Sequence, residues 1–208
     1  SINNIDCLSL VATDGHRLAK IDFPYQDGLI DIPGVIIPKK TIYELCKLLT
    51  DVNEDIVINI DPNKIIFYIG KTILISKLID GNFPDYQRVI PKKNNKIVTA
   101  DRLKISEAID RVSTITSERS RAIKFRLLNN LINLNSSDPE HGTATEDVPV
   151  QYEGEEIEIG FNSKYILEMI NQLEEEKLIF EFKDSTSPLI VKESSRNDLI
   201  YVLMPMRV

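Results

Sequence analysis

The chain of 208 residues contains no tryptophan, two cysteines, two histidines and no long uninterrupted apolar run. A membrane-spanning helix needs about 20 mostly apolar residues, so we expect no membrane contact. A zinc site needs a compact set of cysteine or histidine ligands, and Cys7, Cys46, His16 and His141 are too few and too scattered to supply one. We therefore expect no metal, and we expect both cysteines to be reduced core thiols of a cytoplasmic protein.

The start of the chain also lacks two common features. It begins with Ser1 rather than methionine, and no basic segment followed by an apolar one marks a secretory leader. We expect the first residues of the natural protein to be missing from this sequence. The length allows one large or two modest domains, and 42% hydrophobic with 27% charged residues is typical of a globular protein.

Positive charge is scarce overall but unevenly placed. The net charge is −7, yet residues 96–126 hold eight Lys or Arg against four Asp or Glu, while residues 138–158 hold eight Asp or Glu and no Lys or Arg. An acidic protein is normally a poor candidate for nucleic-acid binding. A local basic surface can still bind phosphate while an acidic exterior maintains solubility, so we place the acidic stretch on an outer surface or rim. An ordinary mixed surface is the alternative.

Three apolar quartets recur along the chain, and their starts are 63 and then 61 residues apart. Each has the i, i+3, i+4, i+7 spacing of one helix face. They predict helices over about 40–50, 101–113 and 162–173, with Asp101 as a plausible N-cap. The quartets are Ile42, Leu45, Cys46 and Leu49; Ile105, Ala108, Ile109 and Val112; and Ile166, Met169, Ile170 and Leu173.

Strand-like segments surround each predicted helix, so that a strand–helix–three-strand unit occurs three times and the hairpin before Pro24 ends a fourth copy. This order predicts an α+β architecture in which paired copies form sheets with the helices on one face. We expect a linker over 80–95 and a polar loop over 136–147. The predicted strands are 8–12, 17–22, 35–37, 55–60, 64–69, 72–78, 96–99, 122–128, 131–135, 148–152, 156–161, 178–182, 189–191 and 199–204.

The segment Thr13–Leu18 is the densest chemical cluster. An enzyme using Asp14 and His16 as a dyad is one interpretation, but both residues flank Gly15 in a tight turn, and no nucleophile pattern or phosphate-binding glycine motif accompanies them. We therefore expect no catalytic residues and no cofactor. A hairpin turn with exposed polar groups is the simpler alternative.

Two further blocks are unusual. Asp80–Tyr86, continued by Arg88–Pro91, combines aromatic residues with prolines and predicts a connector that packs against its neighbours. Tyr201–Arg207 places two methionines around a proline at the end of the chain. Methionines suit a groove that accepts varied apolar peptides, whereas a last core strand is the alternative explanation.

Together the segments Val11–Ala19, Asp80–Tyr86 and Tyr201–Arg207 resemble the bacterial DNA polymerase III beta subunits, the replicative sliding clamps. Glu158–Asn162 is also similar to that family, and the resemblance spans essentially the whole chain. It implies the DNA-clamp fold, with antiparallel sheets outside and helices inside, and three domains that each pair two units. Residues 1–94 then form the later part of the middle domain with its linker, and residues 95–208 form the complete C-terminal domain.

The resemblance also implies a function. Clamps of this family are non-enzymatic processivity factors that encircle double-stranded DNA without sequence specificity as head-to-tail homodimeric rings. They bind short linear peptides of the replicative polymerase, the clamp loader and repair polymerases. The segment seen here cannot close a ring, and we expect it to be a monomer in isolation. The alternative is a peptide-binding or regulatory module without DNA encirclement.

The matching positions define two sets of site residues by similarity. The peptide pocket would comprise Thr13, Gly15, His16, Arg17, Leu18, Pro84, Val89, Asn162, Tyr165, Val202, Met204, Met206 and Arg207. The side chains facing DNA would be Lys39, Lys40, Lys47, Arg102, Lys104, Arg111 and Lys164.

Overall fold

A computed structural model describes residues 7–24, 34–50, 52–117 and 121–207. The chain forms two compact units. The small unit is Gln26–Asp85, and the large unit combines Ser1–Tyr25 with Tyr86–Val208. Within the described ranges, no helix is long and apolar enough to cross a membrane.

The described ranges contain strands and three α-helices, with one short 3-10 turn at Tyr86–Arg88. In chain order they are β1 (Cys7–Thr13), β2 (Arg17–Pro24), α1 (Lys39–Leu48), β3 (Val57–Asp61), β4 (Lys64–Ile69), β5 (Thr72–Lys77), β6 (Lys96–Asp101), α2 (Arg102–Ser113), β7 (Ala122–Leu128), β8 (Leu131–Asp138), β9 (Gly142–Pro149), β10 (Ile157–Asn162), α3 (Ser163–Ile170), β11 (Lys177–Phe182), β12 (Leu189–Glu193) and β13 (Leu199–Leu203).

The small unit packs α1 on an antiparallel sheet with the order β3-β4-β5. Alternate residues of a strand point to opposite faces, and in β4 the inward set is Ile65, Phe67 and Ile69, all buried. Leu45 of α1 and Leu49, the C-cap of that helix, pack against this cluster. The helix and sheet therefore share one small apolar core.

The other half of the first quartet is not in the core. Ile42 is 40% exposed, and Cys46 is exposed as well. Since α1 is the one helix described in this unit, only the side of its apolar stripe that meets the sheet is covered. Cys7 is also exposed and free, so the prediction that both cysteines are core thiols is wrong.

The large unit buries the second and third quartets completely, because α2 and α3 pack against each other as well as against sheets. At the centre of this core, Phe125 and Phe161 meet edge to face with ring centroids 5.4 Å apart. Both helices start at side-chain caps: Asp101 accepts a hydrogen bond from the Lys104 N–H at 3.0 Å, and Asn162 caps α3. The predicted N-cap at Asp101 is confirmed.

The two copies within the large unit exchange their leading strands. The strand β10 precedes α3 yet joins the sheet β10-β7-β8-β9, while β6 precedes α2 yet ends the sheet β1-β2-β13-β12-β11-β6. Every pairing in the two sheets is antiparallel. The predicted α+β class with paired units and antiparallel sheets is therefore confirmed.

The hairpin β1–β2 belongs to the sheet of the large unit, because β2 pairs with β13. The division at residue 94 that we expect from the family resemblance is a division of the chain into clamp domains, and it remains a prediction.

Four local expectations are wrong. No separate strand lies over 148–152, because β9 ends at Pro149 and only an isolated bridge follows at Gln151. Val35–Ile37 forms no strand, and α3 ends at Ile170 rather than near residue 173. The polar segment 136–147 is mostly strand, because β8 and β9 are joined by a turn of only a few residues. The outward side chains of these strands are polar and pair across the sheet, as Asn133 does with Asp147 at 2.6 Å, so the strands read like a loop in the sequence.

The aromatic centre of the large unit gives a test of this core. Phe161→Ala removes a fully buried ring and should lower the free energy of unfolding by about 3–5 kcal/mol. Phe23→Ala, at a ring that is 44% exposed, is the matched control and should cost about 1 kcal/mol or less. Urea unfolding measures both. Equal losses for the two variants would contradict the assignment of the core.

Candidate functional site

The turn between β1 and β2 is built by its own side chains. Asp14 Oδ1 accepts hydrogen bonds from the backbone N–H groups of His16 and Arg17, both at 3.0 Å. Thr13 Oγ1 donates to the Arg17 carbonyl at 2.9 Å and accepts from the Gly15 N–H at 3.2 Å. Gly15 has φ +85°, which favours glycine. These hydrogen bonds hold the turn in one conformation and so fix the backbone positions of His16 and of Arg17, where β2 begins.

Asp14 is a poor partner for His16 in a catalytic dyad. Its second carboxylate oxygen binds Arg17 Nε at 3.1 Å, and no hydrogen bond among the described residues joins Asp14 to the His16 ring. Burial raises the pKa of Asp14, but the hydrogen bonds from the His16 and Arg17 backbone and the Arg17 guanidinium outweigh it and lower the pKa below its usual value. The carboxylate is therefore a structural acceptor.

Leu18 and Val202 lie in a buried apolar cluster where β2 meets β13, which we call the floor of the candidate site. They are register partners and only 2% and 1% exposed. Ile190 of β12 is buried beside them, and Val11 and Val89 pack around the three side chains. The site is therefore lined by segments that lie far apart in the sequence.

The end of the chain runs along the edge of this floor. The Met204 N–H donates to the His16 carbonyl, and the Met206 N–H donates to the Gly160 carbonyl, both at 2.9 Å. Met204 is 38% exposed, and Arg207 is exposed. The final residues therefore connect the start of β2 with β10 and leave a methionine side chain accessible above the sheet.

Tyr165 of α3 supplies an aromatic wall. Its ring stacks on His16 with centroids 6.0 Å apart and an interplanar angle of 23°, and the Arg17 guanidinium carbon lies 4.6 Å from its centroid. Asn162 Oδ1 holds the first turn of α3 by accepting from the Lys164 and Tyr165 N–H groups. Glu168 Oε2 forms an ion pair with Arg17 Nη1 at 2.6 Å.

All the predicted pocket residues except Pro84 therefore belong to the large unit, and the contacts above join the hairpin, the chain end and α3. Pro84 lies in the small unit and is exposed. Sequence reasoning missed Ile190 and Glu168. Ile190 was part of a predicted strand, but its face depends on the sheet order, and Glu168 shares a helix face with Tyr165 at i+3.

The predicted DNA-facing residues fall into two groups. Lys39, Lys40 and Lys104 are exposed at the starts of their helices. Lys47 is also exposed, but it lies 3.3 Å from a Glu44 carboxylate oxygen and 4.3 Å from the Tyr43 ring centroid. Lys39, Lys40 and Lys104 are thus exposed cations at helix starts, and Lys47 is an exposed cation beside a carboxylate and a ring.

The remaining three cations have partners within the large unit. Arg102 Nε donates to the Glu175 carbonyl at 3.1 Å, and Arg111 makes a two-point contact with Glu146 at 3.0 and 2.7 Å. Lys164 Nζ lies 3.7 Å from Glu168. The carboxylates partly compensate the charges of Arg111 and Lys164, whereas the partner of Arg102 is a neutral backbone carbonyl.

The charge segregation in the sequence is not kept in space. Lys124 and Arg126 of β7 pair across the sheet with Glu158 of β10, at 3.6 and 3.7 Å, and Arg126 also binds Glu156. Some carboxylates of the acidic stretch therefore neutralise cations of the basic stretch, and the placement of the acidic stretch on an outer surface or rim stays a prediction. Within the described ranges, no cluster of three or more His, Cys, Asp or Glu could hold a metal ion.

Repeated units, exchanged leading strands and an apolar site at a shared sheet define a protein of the sliding-clamp class. The family model described as DNA polymerase III beta subunit, central domain, matches residues 2–85, and that described as its C-terminal domain matches residues 87–207. The chain belongs to the DNA polymerase III beta subunit family.

Relatives and solved structures agree with this membership. The beta sliding clamp of Caulobacter vibrioides is 44% identical over 97% of this chain and 54% of its own length, and that of Escherichia coli K12 is 35% identical over 97% and 55%. The sliding clamp of Bartonella birtlesii bound to griselimycin superposes with a TM-score of 0.96 at 41% identity, covering 100% of this chain and 56% of its own. The chain spans about half the length of the curated relatives it matches.

The hydrogen bonds to Asp14 at the hairpin turn predict that the stability of the fold depends on pH. The folded pKa of Asp14 lies below its ordinary value of 3.8, so this carboxylate stabilises the fold above that pH and loses its contribution as the pH falls through the folded pKa. The amide resonances of His16 and Arg17, followed by NMR, should titrate with a midpoint below 3.8. Asp14→Asn should abolish this titration. A midpoint above 3.8 would show that burial dominates instead.

Proposed function

We propose that the full-length protein is a replicative sliding clamp. As a ring-shaped homodimer it encircles double-stranded DNA and tethers the replicative polymerase, the clamp loader and repair polymerases through short linear peptides. In this proposal residues 1–94 are the later part of the middle domain with its linker, and residues 95–208 are the complete C-terminal domain. The protein acts in the cytoplasm as a non-catalytic processivity factor.

The observation that carries the proposal is the convergence of three sequence-distant segments on one apolar floor. Burying a leucine or aromatic anchor against Leu18, Val202 and Ile190 would contribute roughly 1.5–3 kcal/mol per side chain. Polar groups at the edge, such as His16 and Asn162, would fix the orientation of the bound peptide. Of the blocks that look unusual in the sequence, the hairpin, the continuation of the connector at Tyr86–Ile90 and the chain end would thus serve one ligand site.

The comparisons support a ligand site of this kind. The Bartonella birtlesii relative was crystallised bound to griselimycin, and a Pseudomonas aeruginosa clamp was crystallised with a ligand. We propose that griselimycin binds the pocket of the present protein. The structural role of Asp14 in the hairpin turn argues against the enzymatic alternative.

For DNA we propose weak contacts to phosphates without base readout. Lys39, Lys40 and Lys104 are exposed, whereas Arg111 and Lys164 lie beside carboxylates that offset part of their charge. A limited number of loose contacts suits a ring that must slide.

The second candidate is a peptide-binding module that does not encircle DNA. The compensation of Arg111 by Glu146 and of Arg126 by Glu156 favours it, because these pairs reduce the positive charge available for phosphates. The two candidates differ in how they are retained on DNA. A ring stays on circular DNA and slides off when the DNA is cut, whereas a module that does not encircle DNA is released equally from circular and linear DNA.

Met204→Ala tests the pocket. The side chain is 38% exposed above the apolar floor, so its truncation should leave the fold intact. It should weaken griselimycin binding by about 1 kcal/mol, or roughly fivefold, in titration calorimetry with the full-length protein.

Leu10→Ala is the matched control for this variant. Leu10 is 50% exposed, and it points to the opposite face of β1 from Val11, which packs against the floor. Its affinity for griselimycin should be unchanged. The pocket assignment would be wrong if Met204→Ala bound as tightly as the control.

A charge-reversal pair tests DNA encirclement. Full-length protein loaded on circular DNA should be retained in a salt-sensitive manner and released when the DNA is cut. Lys40→Glu with Lys104→Glu should speed release, and it should lower the salt slope by about one for each phosphate that the protein no longer binds.

Lys71→Glu with Lys93→Glu provides a control of equal charge, at two exposed lysines that lie outside the helices. This double variant should be retained like the unmodified protein. Identical release from circular and linear DNA would contradict the ring and favour the module.

A further inference from the structure

We propose that Glu168 is a positioning residue of the peptide pocket, an inference that rests on the function proposed above. Its carboxylate holds the Arg17 guanidinium against the Tyr165 ring and so ties the hairpin turn to α3. It would shape the aromatic wall of the pocket before a peptide arrives.

The geometry places Glu168 at the junction of two elements. Its Oε2 forms an ion pair with Arg17 Nη1 at 2.6 Å, while its Oε1 lies 3.7 Å from Lys164 Nζ on the preceding helical turn. Tyr165 lies three residues earlier on α3, and therefore on the same helix face as Glu168. On this face of α3, the Tyr165 ring and the Glu168 carboxylate can therefore both contact the hairpin.

Arg17 contacts both the Tyr165 ring and the Glu168 carboxylate. Its guanidinium carbon lies 4.6 Å from the Tyr165 centroid, and its Nε binds Asp14 Oδ2 at 3.1 Å. Asp14 belongs to the same turn as Arg17 and can follow it as it moves. Of these two carboxylates only Glu168 binds the guanidinium from another element, so Glu168 fixes it relative to the ring.

The position of Arg17 also affects the neighbouring residue His16. His16 precedes Arg17, stacks on Tyr165 at 6.0 Å, and accepts the Met204 N–H through its carbonyl. A displacement of Arg17 therefore moves the turn that carries His16, and it changes both neighbours of the tyrosine ring.

The contribution of this ion pair to folding is expected to be small. The Arg17 and Glu168 side chains are 33% and 43% exposed, and exposed ion pairs contribute little to folding stability. Loss of the carboxylate should therefore leave the protein folded and reduce the fraction of molecules whose pocket is ready to bind. Such a reduction lowers the apparent affinity in proportion to that fraction.

Binding kinetics separate positioning from direct contact. With full-length protein and griselimycin, Glu168→Gln should slow association about fivefold and leave dissociation unchanged, because fewer molecules are ready to bind. Glu168→Asp, which keeps the charge on a shorter side chain, should recover part of the association rate. Surface plasmon resonance measures both rates.

A second measurement needs no ligand. Glu168→Gln should shift the ring resonances of Tyr165 in ¹³C-tyrosine-labelled protein, with the assignment made from Tyr165→Phe. Glu107→Gln is the matched control, since it removes one charge from an exposed α2 residue that pairs with Arg111 at 3.6 Å. The control should alter neither the Tyr165 resonances nor the association rate.

The outcomes are distinct. Faster dissociation of griselimycin from Glu168→Gln would show direct contact and overturn the positioning role, and unchanged association together with unchanged resonances would overturn it as well. If unmodified protein failed to bind griselimycin while Glu168→Gln still shifted the Tyr165 resonances, the coupling of α3 to the hairpin would stand and the proposed pocket function would fail.

Discussion

The pairing of β2 with β13 is the interaction on which the site depends. It brings Leu18 beside Val202 although more than half of the chain lies between them, and it buries both. Without this edge-to-edge contact, the hairpin would expose Leu18, and the last residues would have no partner for the Met204 N–H. A buried apolar pair and a continuous antiparallel ladder reinforce each other here, since the ladder fixes which side chains share a face.

Local periodicity predicts most of the elements in this fold. The i, i+3, i+4 spacing in α2 and α3 and the Asp101 cap follow directly from neighbouring residues, so those helices lie close to where we expect them. The β8–β9 region resembles a loop in sequence because polar residues such as Asn133 and Thr145 occupy its solvent face. Periodicity also cannot tell how much of a stripe is covered, and Ile42 and Cys46 remain exposed because coverage depends on a neighbouring element.

The site was only partly predictable for the same reason. The hairpin and the terminal methionines stand out by composition and by family resemblance, whereas Ile190 and Glu168 are ordinary residues until the sheet order and the helix orientation are known. In the sequence, Glu168 is a surface charge that makes α3 less basic. Its contact with Arg17 joins residues about 150 positions apart in sequence, and no local pattern carries that information.

The exchange of leading strands explains why the units occur in pairs. A single copy would leave one edge of its sheet open and its helix stripe half covered, which is the condition of α1 in the small unit. In the large unit, β10 closes the β7 edge and β6 extends the sheet at β11, while α2 and α3 cover each other. Open strand edges favour pairing with further strands, and β2 at the β13 edge follows this rule. The location of the apolar site is thus a consequence of the repeat. The site lies where β13, a strand of the second copy in the large unit, pairs with β2, which belongs to neither of the two copies in that unit.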